Sequence, residues 1–150
     1  MAEMSKELMD LINSGGYCYL ATASKEGMPN IAIIGSTRAV SPDTVVLAAG
    51  LMNKNLNNLQ ENPKASIIVY SGLPSDKMQA TMEDFSRVSG GQIKGGATIH
   101  TSGEVYEKTK TMLAERMGPQ VAEMTKAAIV LKVDEVYSVG LGPQAGKRIS

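Results

Sequence analysis

The stretch AAGLMNKNLNNLQENP, residues 48–63, decides the fold. It begins at the end of an apolar run, Thr44–Ala49, which predicts a strand buried on both faces. Residues 53–62 then predict a helix of two to three turns, with Asn53 as its expected N-cap. Free backbone N–H groups at a helix start, with Lys54 beside them, are typical of a phosphate site. The stretch therefore joins a core strand to a candidate anion-binding helix.

Five further strands are predicted around this strand and helix. They are bounded by turns rich in Gly, Pro, Ser and Asp, and a helix does not follow each one. Such an order argues against a doubly wound parallel sheet and favours a mainly β, antiparallel barrel with peripheral helices. The five strands are 17–23, 30–40, 64–71, 97–106 and 128–139.

The helical segments lie at the periphery of this plan. Apolar residues recur at helical spacing over 3–13 until Gly15 and Gly16, and helices are also expected at 108–117 and 121–126. Residues 72–96 are less regular: a helix is expected over 75–88, followed by two glycine pairs. We expect this segment to be an excursion that covers a ligand as a lid. The 150 residues are expected to form one domain.

Composition excludes several classes of function. Fifteen basic residues balance fifteen acidic ones, without the basic stripe that nucleic-acid binding requires. No apolar run approaches the roughly 18 to 20 residues that span a bilayer. The charged helical pattern at the N-terminus is unlike a signal peptide, and the single cysteine, Cys18, fits a reducing compartment. We therefore expect a cytoplasmic protein that binds neither nucleic acid nor membrane.

Residues for metal or nucleophilic catalysis are scarce. His100 is the only histidine and Cys18 the only cysteine, so neither a metal site nor a Cys-His pair is well supplied. Residues 140–145 fit the dinucleotide pattern G-x-G-x-x-A, but Pro143 spoils the close backbone approach that this loop needs. We expect no metal ligands and no catalytic acid or base.

Several short motifs occur in an order that resembles the FMN-binding split-barrel family, also called the pyridoxamine 5'-phosphate oxidase-like family. YLATA followed by EGMPN resembles its first strand and turn, and KNLNNLQENPKA resembles its K-x-x-N-L-x-x-N-P helix. IKGGA with GEV is similar to a later strand. These motifs occupy residues 19–23, 26–30, 54–65, 93–97 and 103–105.

The resemblance implies a six-stranded antiparallel split β-barrel that works as a homodimer, with FMN in clefts at the subunit interface. The second strand would line the ring and ribityl chain, where Ser36 and Thr37 would donate hydrogen bonds. Residues 50–52 would approach the ring edge through their backbone, and Lys54 with its neighbours would hold the phosphate. The implied cofactor-binding residues are Ile33, Ile34, Gly35, Ser36, Thr37, Gly50, Leu51, Met52, Asn53, Lys54 and Asn55.

The function implied is an FMN-dependent oxidoreductase that moves a hydride or electrons between a reduced donor, such as NAD(P)H, and an unidentified small-molecule or protein acceptor. The chain is short, has no Trp and lacks the arginine- and aromatic-bearing tail of true pyridoxamine phosphate oxidase, so we do not expect it to oxidise the vitamin. Two alternatives stay open: an FMN-binding electron carrier without its own substrate, and a relative that binds a deazaflavin. Haem is disfavoured by the lone His100.

Overall fold

The computed structural model describes residues 2–15 and 18–150. Its helices are α1 Lys6–Asn13, α2 Asn53–Glu61, α3 Met82–Ser86, α4 Glu104–Met117 and α5 Pro119–Glu123. Its strands are β1 Cys18–Ala23, β2 Pro29–Ile34, β3 Arg38–Ser41, β4 Thr44–Ala49, β5 Lys64–Ser71, β6 Ser89–His100 and β7 Ala127–Ser138. None of the helices within these two ranges is long and apolar enough to cross a membrane.

The strands form one sheet in the order β2-β1-β5-β6-β7-β4-β3, and every pairing is antiparallel. The two edge strands, β2 and β3, are consecutive in the chain and joined by residues 35–37. One apolar interior collects side chains from all seven strands and from α1. The mainly β antiparallel fold expected from the sequence is confirmed.

The barrel has seven strands instead of six because the predicted strand 30–40 is broken. Its two halves are β2 and β3, and residues 35–37 between them belong to neither. Ser36 and Thr37 are both buried, whereas adjacent residues of a continuous strand would point to opposite faces. Two residues named in the sequence analysis lie outside the described residues. They are Gly16, expected after the first helix, and Tyr17, expected at the start of the first strand.

The strand predicted at 97–106 is also corrected, since β6 begins at Ser89 and ends at His100. The glycine pairs that suggested a loop lie inside this strand. A Cβ on Gly95 would collide with the Lys132 carbonyl on β7, at a register shift in the ladder, and Gly90 has a positive φ of 148°. Glycine is needed there for close approach and local irregularity. Helix α4 then begins at residue 104, four residues before the predicted start.

Helix α1 is shorter at its start than the predicted 3–13. The Ser5 hydroxyl accepts a hydrogen bond from the Leu8 N–H at 3.2 Å and caps the helix, while the Met4 N–H donates to the Pro42 carbonyl at 2.7 Å. The capped helix packs Leu8 and Ile12 into the barrel interior. The N-terminal segment thus closes one side of the core.

The excursion between β5 and β6 covers residues 72–88, because 89–96 belong to β6. Its helix, α3, has five residues instead of the predicted 75–88, because Thr81 caps its start. The Thr81 hydroxyl accepts a hydrogen bond from the Asp84 N–H, and the Asp84 carboxylate accepts one from the Thr81 N–H. Lys77 contacts the same carboxylate at 3.0 Å. The pKa of the Asp84 carboxyl is lowered to about 2, mainly because it accepts a hydrogen bond from the Thr81 N–H and secondly because of Lys77.

A buried polar cluster fixes helix α2 against β1. The Thr22 hydroxyl oxygen accepts hydrogen bonds from the side-chain amides of Asn55 and Asn58, each at 3.1 Å, and Asn55 Oδ1 accepts one from Asn30 at 2.7 Å. Thr22, Asn55 and Asn58 are nearly inaccessible to solvent. Buried amides are costly without partners, so this cluster determines where α2 docks.

Replacing Thr22 with Val is expected to destabilise the fold. Valine keeps the shape but removes the common acceptor, leaving two buried amide groups short of a partner, and the free energy of unfolding should fall by about 1–3 kcal/mol. Urea denaturation measures this change. Thr98→Val, on the exposed face of β6, is the matched control and should stay within about 0.5 kcal/mol of the parent. Equal losses in the two variants would contradict the assigned role of Thr22.

Candidate functional site

The break between the edge strands opens one end of the barrel. Ser36 holds this break in place, since its hydroxyl accepts a hydrogen bond from the Ala48 N–H at 3.0 Å and lies 3.4 Å from the Ala48 carbonyl oxygen. The hydroxyl thus satisfies backbone groups of β4 that an adjacent strand would otherwise bond to. It is therefore committed to the backbone and is not the free donor to a ligand that the sequence suggested.

A cavity of about 410 Å³ lies beside this break. Three parts of the chain form its walls: residues 32–36 at the end of β2, Ala48 with residues 50–52 after β4, and one side of α4 with the segment that follows. Most of the lining is apolar. On one side the cavity is open, where Ile33 is 64% exposed and Leu51 is 78% exposed. Its shape and lining suit a flat, largely apolar ligand.

Seven of the eleven sequence-predicted site residues line this cavity. They come from two segments far apart in the sequence, which the antiparallel sheet brings together. The seven are Ile33, Ile34, Gly35, Ser36, Gly50, Leu51 and Met52.

The other four predicted residues lie elsewhere. Thr37 is buried and lines a different cleft. Asn55 points into the polar cluster with Thr22, so it is unavailable to a phosphate. Asn53 and Lys54 are exposed in the first turn of α2.

The wall formed by α4 and α5 was missed at the sequence level. Leu113 and Met117 of α4, Val121 of α5 and Met124 just after it all line the cavity. Their apolar spacing predicted helices, but spacing alone cannot say which part of a barrel a helix covers. The two methionines were the available signal, because flexible thioethers suit the wall of a pocket for a flat ring.

The expected lid does not cover this cavity. None of residues 72–88 lines it, and the cover is supplied by α4 and α5 of the same chain. The excursion instead leaves Met78, Met82 and Phe85 exposed to solvent.

The start of α2 differs from the sequence expectation. Met52, not Asn53, occupies the N-cap position, and no side chain caps the first turn. The Asn53 side-chain oxygen accepts a hydrogen bond from Lys126 Nζ at 2.6 Å, and the Lys126 N–H donates to the Ala49 carbonyl at 2.7 Å. Lys126 was absent from the predicted site because it precedes β7, over seventy residues further along the chain.

Two lysines thus belong to the start of α2: Lys54 lies in its first turn, and Lys126 contacts Asn53. Among the described residues, neither Lys54 nor Lys126 has a carboxylate within 4.0 Å. Both residues are exposed, and Met52, the residue before the helix, lines the cavity. A phosphate at this position would meet two positive charges and backbone donors.

Among the described residues, those that line the cavity include no ionisable side chain. Its polar side chains are Ser36 and Thr125, whose hydroxyls contact backbone carbonyls at 3.4 Å. The thiol of Cys18 is buried in the core nearby, and that burial raises its pKa. His100 is outside the lining, with its Nε2 3.1 Å from the Thr98 hydroxyl. No cluster of metal-ligating side chains occurs in residues 2–15 or 18–150.

Comparison with known proteins identifies relatives over most of the chain. A family model described as pyridoxamine 5'-phosphate oxidase matches residues 4–140. An uncharacterised protein of Methanocaldococcus jannaschii is 32% identical over 134 residues, which cover 88% of this chain and 78% of that protein.

Solved structures share the fold at lower sequence identity. HupZ of Group A Streptococcus superposes with a TM-score of 0.73 and 24% identity, covering 98% of this chain and 99% of its own. An FMN-binding protein of Syntrophomonas wolfei has a TM-score of 0.72 and 20% identity, covering 91% and 86%. A structure described as an F420 reductase has a TM-score of 0.62 and 14% identity, covering 89% and 98%. At these identities the similarity establishes the fold alone.

Proposed function

The chain belongs to the pyridoxamine 5'-phosphate oxidase family, and from that premise we propose that it is an FMN-binding homodimer that acts as an oxidoreductase. The observation that carries the proposal is the apolar cavity beside the strand break. Its volume of about 410 Å³ falls within the range of small-molecule sites. Its lining is what an isoalloxazine ring requires: apolar surface and close backbone, without a competing charge.

The flavin phosphate is assigned to the start of α2. Lys54 and Lys126 would neutralise it, and the uncapped first-turn N–H groups would donate hydrogen bonds to it. The contact between Lys126 and Asn53 supports this assignment, because it holds the lysine that precedes β7 at the helix start, where it would supply the second positive charge.

A second copy of the chain would close the open side of the cavity. Ile31 is 69% exposed and Ile33 is 64% exposed on β2. Register places Tyr19 of β1 opposite Ile33, and Tyr19 in turn stacks with Tyr70 of β5 at 6.4 Å between ring centroids. Three adjacent strands therefore present one apolar face, which is typical of a surface that a partner covers. The partner would shield both this face and the bound ring from water.

FMN supplies the redox chemistry when bound, accepting a hydride or electrons from a reduced donor and passing them on. The residues of this chain bind and orient it. Leu113, Met117 and Met124 cover one side of the cavity and exclude water there, while residues 50–52 offer their backbone to the ring edge. The described residues of the lining include no acid or base, so proton transfer would fall to the substrate, to water or to the second copy.

An electron carrier without its own substrate is the alternative within the same site. The lid that favoured an enzyme at the sequence level does not line the cavity, so that argument no longer distinguishes the two. The cover formed by α4 and α5 favours the enzyme, because a carrier benefits from an exposed ring edge. A reduced nicotinamide donor would also agree with the expected cytoplasmic location.

The first experiment is the visible absorption spectrum of the freshly purified protein, with the released ligand identified by mass. We expect flavin bands and the mass of FMN at one per chain, and bleaching of those bands by NADH or NADPH under anaerobic conditions. A deazaflavin mass or a haem Soret band would replace FMN as the ligand. A colourless protein that also fails to bind added FMN would refute the proposal.

Substitution of either lysine tests the phosphate assignment. Lys54→Ala and Lys126→Ala should each raise the FMN dissociation constant about tenfold or more, because each removes a charge-assisted contact. Fluorescence quenching of added FMN measures the affinity. Lys25→Ala, in the exposed turn after β1, is the control and should leave the affinity unchanged. If Lys126→Ala also leaves the affinity unchanged, Lys126 does not contact the phosphate.

The dimer is tested on the exposed face of β2. Ile31→Lys places a charge on that face without altering the cavity lining, so we expect a monomer by size-exclusion chromatography with light scattering where the parent is a dimer. Leu141→Lys, an exposed apolar residue in the C-terminal loop, should stay dimeric. A monomeric parent, or a dimeric Ile31→Lys variant, would contradict this assignment of the interface.

A further inference from the structure

Two exposed methionines belong to the wall of the apolar cavity. Among the described residues, the methionines that are largely exposed are Met28, Met78, Met82, Met117 and Met124. Of these, Met117 is 51% exposed and Met124 is 48% exposed, and both also line the cavity. Met52 lines it too, but it is less exposed and packs against the main core. Met117 and Met124 are thus accessible both from the solvent and from the cavity.

The two helices next to these methionines are attached to the barrel by a small apolar contact. Helices α4 and α5 meet at Gly118, whose positive φ of 95° turns the chain between them. Leu113 of α4 and Ala122 of α5 form a small buried cluster with Ala48 of β4. The main core, as far as the chain is described, includes no residue of either helix. The position of this cover over the cavity therefore depends on few apolar contacts.

A polar group added to this wall would find no free side-chain partner among the described residues of the lining. The polar side chains there are Ser36 and Thr125. The Ser36 hydroxyl is bonded to the backbone of Ala48, and the Thr125 hydroxyl donates to the Val121 carbonyl at 3.4 Å. A buried polar group without a partner is costly, so an oxidised methionine would not be stable in the wall as it stands.

The single cysteine does not compete with these methionines for an oxidant. Cys18 is fully buried, and burial raises the pKa of its thiol. Because the thiolate is the reactive form of cysteine, this buried thiol reacts slowly. Exposed methionines are therefore the sulfur-containing side chains that a peroxide reaches first.

We propose that Met117 and Met124 form an oxidation switch, in which a peroxide converts both thioethers to sulfoxides and thereby loosens the cover of the cavity. Each sulfur attacks one peroxide oxygen: an S–O bond forms, the O–O bond breaks, and the peroxide leaves as water or an alcohol. The sulfur is oxidised and the peroxide is reduced by the same electron pair. Because a sulfoxide is polar, the side chains turn to solvent and the cover loses apolar contact.

The consequence for the cofactor rests on the FMN binding proposed above, whereas the oxidation and the loosening of the cover do not. A loosened cover admits water to the cavity and removes apolar surface from the ring. Oxidation therefore lowers the affinity for FMN, and reduction of the sulfoxides restores it.

Hydrogen peroxide is the probe, and the parent protein is compared before and after treatment. Peptide mass spectrometry should find one added oxygen on Met117 and one on Met124, and amide hydrogen exchange over residues 104–124 should become faster. The FMN dissociation constant should rise about tenfold or more, because an unpaired polar group is costly in an apolar wall. Methionine sulfoxide reductases with a thiol reductant should reverse both changes.

These readouts separate the switch from the cofactor assignment. If both sulfoxides form and hydrogen exchange over 104–124 stays as in the untreated protein, the switch is refuted. It is also refuted if peroxide oxidises Met78 while Met117 and Met124 stay unmodified. An untreated protein that does not bind FMN contradicts the proposed cofactor instead, and the exchange measurement then decides on the switch by itself.

Leucine variants show which methionines are responsible. Met117→Leu with Met124→Leu keeps apolar side chains of similar size but removes both sulfurs. Peroxide should then change the variant's own FMN dissociation constant by less than about twofold and leave its hydrogen exchange unaltered. The control, Met78→Leu with Met82→Leu, removes two exposed methionines that lie outside the lining and should keep the full response of the parent. Equal responses in the two double variants would contradict the switch.

Discussion

The hydrogen bonds between the Ser36 hydroxyl and the backbone of Ala48 hold the molecule open at one end. At this point β2 has ended and β3 has not begun, so β4 is paired with β7 on one side only, and the Ser36 side chain bonds to its backbone on the other side. Closing the barrel with a continuous strand would remove the cavity. The split therefore depends on a residue that is short enough to lie against β4 and that has both a donor and an acceptor on one atom.

The break also resolves a conflict in the alternation of side chains. In a continuous strand from 30 to 40, Arg38 would share the face of Ile34 and point into the apolar core, where an unpaired charge is very costly. The consecutive burial of Ser36 and Thr37 shifts the alternation by one residue. Ala39 then faces the core, and Arg38 is free to line a cleft. One irregularity thus opens the apolar cavity and also keeps the Arg38 charge out of the core.

Much of the fold could be predicted from the sequence because local signals bound its elements. Strands β4 and β5 begin and end where predicted, since Ser41-Pro42-Asp43, Gly50 and Pro63 mark their limits. The break at 35–37 was missed because Ser and Thr are acceptable in strands and no proline interrupts them. The glycines of β6 misled the prediction for the opposite reason: Gly95 allows close contact with β7 and Gly90 with β5, which are long-range requirements.

The candidate site shows the same contrast between local signals, which the sequence reveals, and long-range contacts, which it does not. Residues that contribute by position along a strand or loop, such as Ile33 and residues 50–52, were predictable from the order of motifs. Asn55 was not, because its short polar side chain suits a helix start equally as a phosphate contact and as a partner for Thr22, and only packing against β1 decides between them. Lys126 was not predictable either, since the sheet brings β7 beside β4 and thereby places it at α2. The features that could not be predicted from the sequence are therefore tertiary contacts, since the pairing of distant strands decides which charges meet at the start of α2.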